Sequence, residues 1–143
     1  MDIIKTETDM INRGRELGKT LSAPTTIELI GDVGTGKTTL VKGIARGLGI
    51  TTPITSPSFT LSKLYKSGAC KDQKDVIILH HYDFYRLADP GIMAEELAES
   101  IHDPNTITIV EWAETVRGVL PKKRTKVTLK YLDDGSRSVE IAQ

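Results

Sequence analysis

One cysteine, no net charge and no long apolar run are what this sequence has least of, and each absence closes a class of function. Cys70 stands alone among 143 residues, so no disulfide framework can staple the chain. It lies in the polar stretch Lys66-Ser67-Gly68-Ala69-Cys70-Lys71-Asp72 and reads as a free loop thiol. Nineteen basic side chains cancel nineteen acidic ones. Nothing draws the whole molecule to nucleic acid or a membrane surface, and any such contact has to be local. No run approaches the roughly 20 apolar residues that span a bilayer. The start Met1-Asp2-Ile3-Ile4-Lys5 lacks the apolar stretch of a signal peptide. The expectation is a cytoplasmic protein that makes no membrane contact. Internal repeats and domain boundaries are also missing, so residues 1–143 read as a single domain.

What is present is an ordinary globular composition, 38% hydrophobic and 27% charged, too apolar for disorder. Asp2–Thr6 reads as a short strand. A helix follows over about Asp9–Leu21, capped by Thr8 or Asp9, with Ile11, Gly14, Leu17 and Leu21 at helical spacing. Thr25–Ile30 reads as a strand running into a glycine-rich turn. Leu40, Val41, Ile44, Ala45 and Leu48 form a helical stripe behind that turn, with Gly49 as its stop.

Val76–Leu79 and Ile107–Val110 read as buried strands. Between them, Asp89 and Pro90 open a helix carrying Met93, Leu97 and Ile101. Lys126–Tyr131, the turn Asp133-Asp134-Gly135 and Ser138–Ile141 read as a hairpin. Strands alternating with helices predict an α/β fold, a mixed but mainly parallel sheet flanked by helices, with the C-terminal hairpin adding antiparallel edge strands.

The chemistry concentrates at Gly31-Asp32-Val33-Gly34-Thr35-Gly36-Lys37-Thr38, which fills the pattern Gly-x4-Gly-Lys-[Ser/Thr] of a P-loop. Glycines let the backbone fold so that successive N–H groups face one anion, and the helix beginning near Lys37 adds its positive dipole end. Lys37 supplies a point charge for β and γ phosphates, and the Thr38 hydroxyl suits Mg²⁺. Such a loop also needs carboxylates at the carboxyl ends of neighbouring strands. Asp83 and Glu111 each follow an apolar run and fill that position. His80 and His81 are adjacent, so on a strand they face opposite ways and do not readily share one ion. Arg86 reaches either a phosphate or a surface acid. The run Lys122-Lys123-Arg124-Thr125-Lys126 is either a solvated loop or a local RNA contact.

Four segments then occur in a fixed order. They are Gly31-Asp32-Val33-Gly34-Thr35-Gly36-Lys37-Thr38-Thr39, Ser56-Pro57-Ser58-Phe59-Thr60-Leu61, His81-Tyr82-Asp83-Phe84-Tyr85-Arg86-Leu87 and Val110-Glu111-Trp112-Ala113-Glu114. Together they resemble the TsaE (YjeE) family, bacterial P-loop ATPases of tRNA threonylcarbamoyladenosine biosynthesis, over nearly the whole chain. The resemblance implies ATP and Mg²⁺ as ligands and slow hydrolysis by the isolated protein. It also implies partnership with the TsaB–TsaD complex, with TsaC in the same pathway, and an indirect connection to tRNA. The resemblance implies that the ATPase cycle resets the TsaB–TsaD assembly rather than performing the transfer.

Carried onto matching positions, the resemblance gives Lys37 and Asp83 catalytic roles and gives Thr38 and Glu111 the metal. Nucleotide binding falls to Asp32, Val33, Gly34, Thr35, Gly36, Lys37, Thr38, Thr39 and Trp112, with Thr6, Thr8 and Arg137 near the adenine. Ser58 and Thr60 belong to a switch-like loop. Two departures from the family stand out. Ser58 replaces a usual Thr but keeps the hydroxyl, and the segment between Glu96 and Glu111 is a few residues shorter. A GTPase is excluded by the lack of Asn-Lys-x-Asp and Asp-x-x-Gly motifs. A small-molecule kinase, for which seven scattered arginines make a poor lid, and a nucleotide-sensing module are the competing readings.

Overall fold

The computed structural model describes residues 1–57, 61–67, 76–85 and 87–143. The chain runs β1 (Asp2–Ile4), α1 (Glu7–Thr20), β2 (Thr25–Ile30), α2 (Lys37–Gly47), β3 (Ser62–Lys66), β4 (Ile78–Asp83), α3 (Ile92–His102), β5 (Thr106–Glu111), a 3₁₀ turn (Ala113–Val116), β6 (Thr125–Tyr131) and β7 (Arg137–Ala142). Ser58, Thr60, Cys70 and Arg86 lie outside the described residues.

The seven strands form one sheet in the order β1-β7-β6-β2-β5-β4-β3. β6, β2, β5 and β4 pair in parallel, whereas β1 with β7, β7 with β6 and β3 with β4 are antiparallel. The mixed, mainly parallel α/β sheet is therefore as expected, but the hairpin is not its edge. β6 lies inside the sheet beside β2, and β1 covers β7. Polar alternation in Ser62-Lys63-Leu64-Tyr65-Lys66 hides the true opposite edge, β3, from a reading that looks for apolar runs. β4 begins two residues later than the apolar run and continues through His80, His81, Tyr82 and Asp83, because cross-strand partners bury these polar groups.

Period-two alternation sends the strands' side chains to two different cores. On one face Ile27, Leu29, Leu79, Ile107, Ile109, Val127 and Leu129 pack with Met10 and Leu17 of α1 and Leu40, Val41 and Ile44 of α2. On the other, Tyr82, Phe84 and Val110 pack with Leu97 of α3 and with Val116 and Leu120. Each such side chain, once buried, contributes roughly 1.5–3 kcal/mol.

Thr6, not Thr8 or Asp9, caps α1. Its Oγ1 accepts the Asp9 N–H at 3.0 Å while Asp9 accepts the Thr6 N–H at 3.2 Å, a reciprocal pair that satisfies two end groups. α1 and α2 then meet backbone to backbone along Gly14, Gly18, Gly43 and Gly47. A Cβ at Gly14 would stand 2.4 Å from the Leu40 carbonyl oxygen, and one at Gly43 would stand 2.2 Å from that of Ile11. Only glycine permits that approach, and it brings the first turn of α1 against the start of α2. Met10 accordingly lies beside Gly36, its Cε 3.0 Å from where a Cβ there would be.

Candidate functional site

The turn between β2 and α2 is built from local backbone chemistry. Gly34 has φ 83° and Gly36 φ 101°, both in the left-handed region. Thr35 is buried, and its hydroxyl donates to the Asp32 carbonyl at 2.8 Å, which closes the turn on itself. Two side chains from the hairpin hold the loop from outside. Tyr131 Oη and Arg137 Nη2 both donate to the Gly34 carbonyl, the latter at 3.2 Å. The Arg137 guanidinium also lies 5.2 Å from the Tyr131 ring centre.

Lys37, the first residue of α2, is only 7% exposed. Its ammonium donates to the carbonyls of Gly31 and, at 3.4 Å, Asp32, and lies 4.3 Å from the centre of the Trp112 ring. Burial pushes its pKa below the ordinary lysine value, while Glu111, Asp83, Asp32 and Glu114 pull the other way. A cation so poorly hydrated is prepared to exchange carbonyl dipoles for a full negative charge.

The two strand-end carboxylates stand side by side. Asp83 ends β4, Glu111 ends β5, and the parallel register sets them directly opposite one another. Both are nearly buried, at 5% and 3% exposed. Asp83 Oδ1 accepts the Tyr85 N–H at 2.9 Å, and Glu111 Oε2 lies 2.7 Å from His81 Nε2. Immediately after Glu111 the backbone turns left-handed at Trp112, φ 56°, a conformation a bulky residue rarely takes, and the Trp112 ring comes to 4.8 Å from that of Tyr85.

Val33, Gly34, Gly36, Lys37, Thr38, Thr39, Asp83, Glu111, Trp112 and Arg137, ten residues singled out from the sequence, line one cleft of about 500 Å³. Asp32 instead borders a second crevice across Trp112, of about 510 Å³, and Thr35 is spent inside the turn. Thr8 is exposed on α1, outside the lining. From α1 it is Glu7 and Met10, one helical turn apart, that line the cleft, with Ser56 and Tyr85 completing the wall, while Thr6 caps the helix. The missed signal was the 3.6-residue period, since Met10 shares a face with Gly14.

His80 and His81 face opposite sides of the sheet as expected. His80 lies against Tyr82 and Glu96 on the α3 face, and among the described residues no three His, Cys, Asp or Glu gather around a metal position. In the basic run, Arg124 is bound to Glu28, Nη2 to Oε1 at 3.1 Å, and to the Pro121 carbonyl, whereas Lys122 and Lys123 are exposed. Arg124 thus serves the fold.

Fold and site define the class: an α/β protein with a glycine-rich phosphate-loop motif between a central parallel strand and the helix after it, and two carboxylates at the neighbouring strand ends. The family model for "Threonylcarbamoyl adenosine biosynthesis protein TsaE" matches residues 4–139, and the chain belongs to the TsaE family. Curated relatives named tRNA threonylcarbamoyladenosine biosynthesis protein TsaE include one from Nostoc sp., 42% identical over 92% of this chain and 78% of its own. Another, from Treponema pallidum, is 34% identical over 94% and 93%. The crystal structure of Bacillus subtilis YdiB superposes with a TM-score of 0.76 at 28% identity, covering 96% of this chain and 80% of that one. Among the described residues no helix is long and apolar enough to cross a membrane.

Proposed function

We propose that this protein binds ATP with Mg²⁺ in the cleft at the glycine-rich loop and hydrolyses it slowly. In this reading the cycle serves N6-threonylcarbamoyladenosine formation at position 37 of ANN-decoding tRNAs, in company with the TsaB–TsaD complex. The observation that carries the reading is the convergence of Lys37, Asp83 and Glu111, three charged groups each under 10% exposed, on one cleft at a helix N-terminus.

The residues fit these ligands. Positive φ at Gly34 and Gly36 folds the loop tightly enough for successive backbone N–H groups to face one anion. The Thr38 hydroxyl and the Glu111 carboxylate are hard oxygen donors. Among the described residues too few protein groups gather there for an all-protein cage, which suits an ion that keeps waters and shares phosphate oxygens. Bound there, Mg²⁺ would neutralise charge developing on the phosphates. Lys37 leaves the Gly31 and Asp32 carbonyls for phosphate oxygens, and Trp112 and Tyr85 wall off bulk water. Asp83, at the end of β4, orients the attacking water and takes its proton.

The test is steady-state ATP hydrolysis, alone and with the TsaB–TsaD pair, with Lys37→Ala as control. Weak turnover that rises with the pair supports the reading. By calorimetry Lys37→Ala should weaken ATP binding at least ~100-fold, about 2.7 kcal/mol. Near-normal affinity in that variant would refute the site. ATP binding with no stimulation by the pair would favour a nucleotide-sensing module.

A further inference from the structure

His81 has no part in the reading above, yet it is the most enclosed ionisable group at the site, with no exposed surface. It sits on β4, where the register sets it beside Ile109, so Glu111 is two residues farther along the neighbouring strand on the same face. Its Nε2 meets Glu111 Oε2 at 2.7 Å, and its Nδ1 has no hydrogen-bond partner among the described residues. A buried imidazole that leaves one nitrogen bare forfeits free energy. The fold retains that cost next to a buried carboxylate that lines the cleft. His80, one residue away, has both nitrogens near polar groups.

We infer that His81 is a positioning residue: its Nε2–H holds the Glu111 carboxylate in the single orientation that presents Oε1 to a divalent cation in the cleft. The inference rests on the Mg²⁺ role proposed for Glu111. The backbone on either side of that carboxylate is already fixed. Phe84 N–H donates to the Glu111 carbonyl at 3.1 Å, and Trp112 turns left-handed directly after it. What the backbone leaves free is the rotation of the side chain, and a donor from the adjacent strand removes it. A ligand oriented this way loses less freedom when the cation arrives, and loss of such supporting partners typically costs 10–100-fold in metal affinity. His81 does not compete for the ion itself, because Mg²⁺ selects oxygen over imidazole nitrogen and Nε2 is already engaged.

The experiment uses ADP, which is not turned over, and follows its affinity by calorimetry as Mg²⁺ is titrated. In His81→Ala the Mg²⁺ concentration for half-maximal effect should rise 10–100-fold, while ADP affinity without Mg²⁺ stays within about twofold. His81→Gln, whose amide keeps an N–H donor, should recover part of the loss. Equal Mg²⁺ curves for wild type and a folded His81→Ala overturn the positioning role alone. A parallel loss of Mg²⁺-free ADP binding assigns His81 to the fold instead and also overturns it. Wild-type protein indifferent to Mg²⁺ overturns both the metal role of Glu111 and this one. Long-range ¹H–¹⁵N spectra of the wild-type protein without metal provide a measurement that no substitution can spoil. They should show His81 protonated at Nε2, and a neutral ring protonated only at Nδ1 refutes the inference.

Discussion

His80 and His81 are neighbours in the chain and belong to opposite halves of the molecule. On the α3 face, His80 joins a set of polar groups that satisfy one another. Its Nδ1 lies 3.1 Å from Tyr82 Oη, Ser100 and Thr108 share a 2.8 Å hydrogen bond, and Glu28 is closed by Arg124. On the α1 and α2 face, His81 keeps a nitrogen without a partner among the described residues, Lys37 is buried against carbonyls, and Asp83 and Glu111 stand opposite each other. Polar groups on the first face are arranged to hold the structure. Those on the second are arranged at some cost to stability, which is how groups prepared for a ligand differ from groups that are already content.

The largest effect that would test this contrast is at Asp83. Asp83→Asn keeps the shape of the side chain but removes the proposed base, so turnover should fall about 10²–10⁴-fold while ATP still binds. Because the Asn side-chain oxygen can still accept the Tyr85 N–H, thermal stability should not fall with it. A melting temperature that dropped along with turnover would mean that the two faces are not so different.

Arg124→Met is the counterpart on the opposite face. It strands Glu28, 2% exposed, without its cation and should destabilise the fold by about 3 kcal/mol in denaturant titrations. ATP affinity in the folded fraction should be unchanged. A loss of affinity at unchanged stability would instead return the basic run to a functional role.

How much of this was legible from the sequence follows from the distance over which each feature is encoded. The loop from Gly31 to Thr38 needs only its own glycines and the strand and helix that flank it, and β2 occupies the very residues that the pattern marks. Asp83 and Glu111 were legible because a strand end is a local event. The Thr6 cap was also written locally, but with Asp9 in the position where Glu or Gln is the familiar signal. The glycine seam spans two helices, and each spacing, Gly14 to Gly18 and Gly43 to Gly47, gains meaning only when the helices are placed together. The pairing of Glu28 with Arg124 crosses 96 residues, and that of His81 with Glu111 crosses 30 between adjacent strands. No periodicity encodes such partners, and strand order alone brings them within reach.

The smallest predicted effect returns to the first histidine. Burial holds the His80 pKa below its ordinary value of 6.5; Glu96 opposes that shift and His81 adds to it. Below about pH 6.5 the unfolded chain therefore binds a proton more readily than the folded one. Stability contributed by keeping His80 neutral is full above that pH and declines as the pH falls. One such group can supply a slope of at most about 1.4 kcal/mol per pH unit. His80→Asn should flatten the pH dependence of unfolding below about pH 6.5 and leave the Mg²⁺ response of ADP binding untouched. The same substitution at His81 is expected to shift that Mg²⁺ response. If both substitutions moved both quantities equally, the two faces would share one electrostatic unit, and the division drawn from strand alternation would fail.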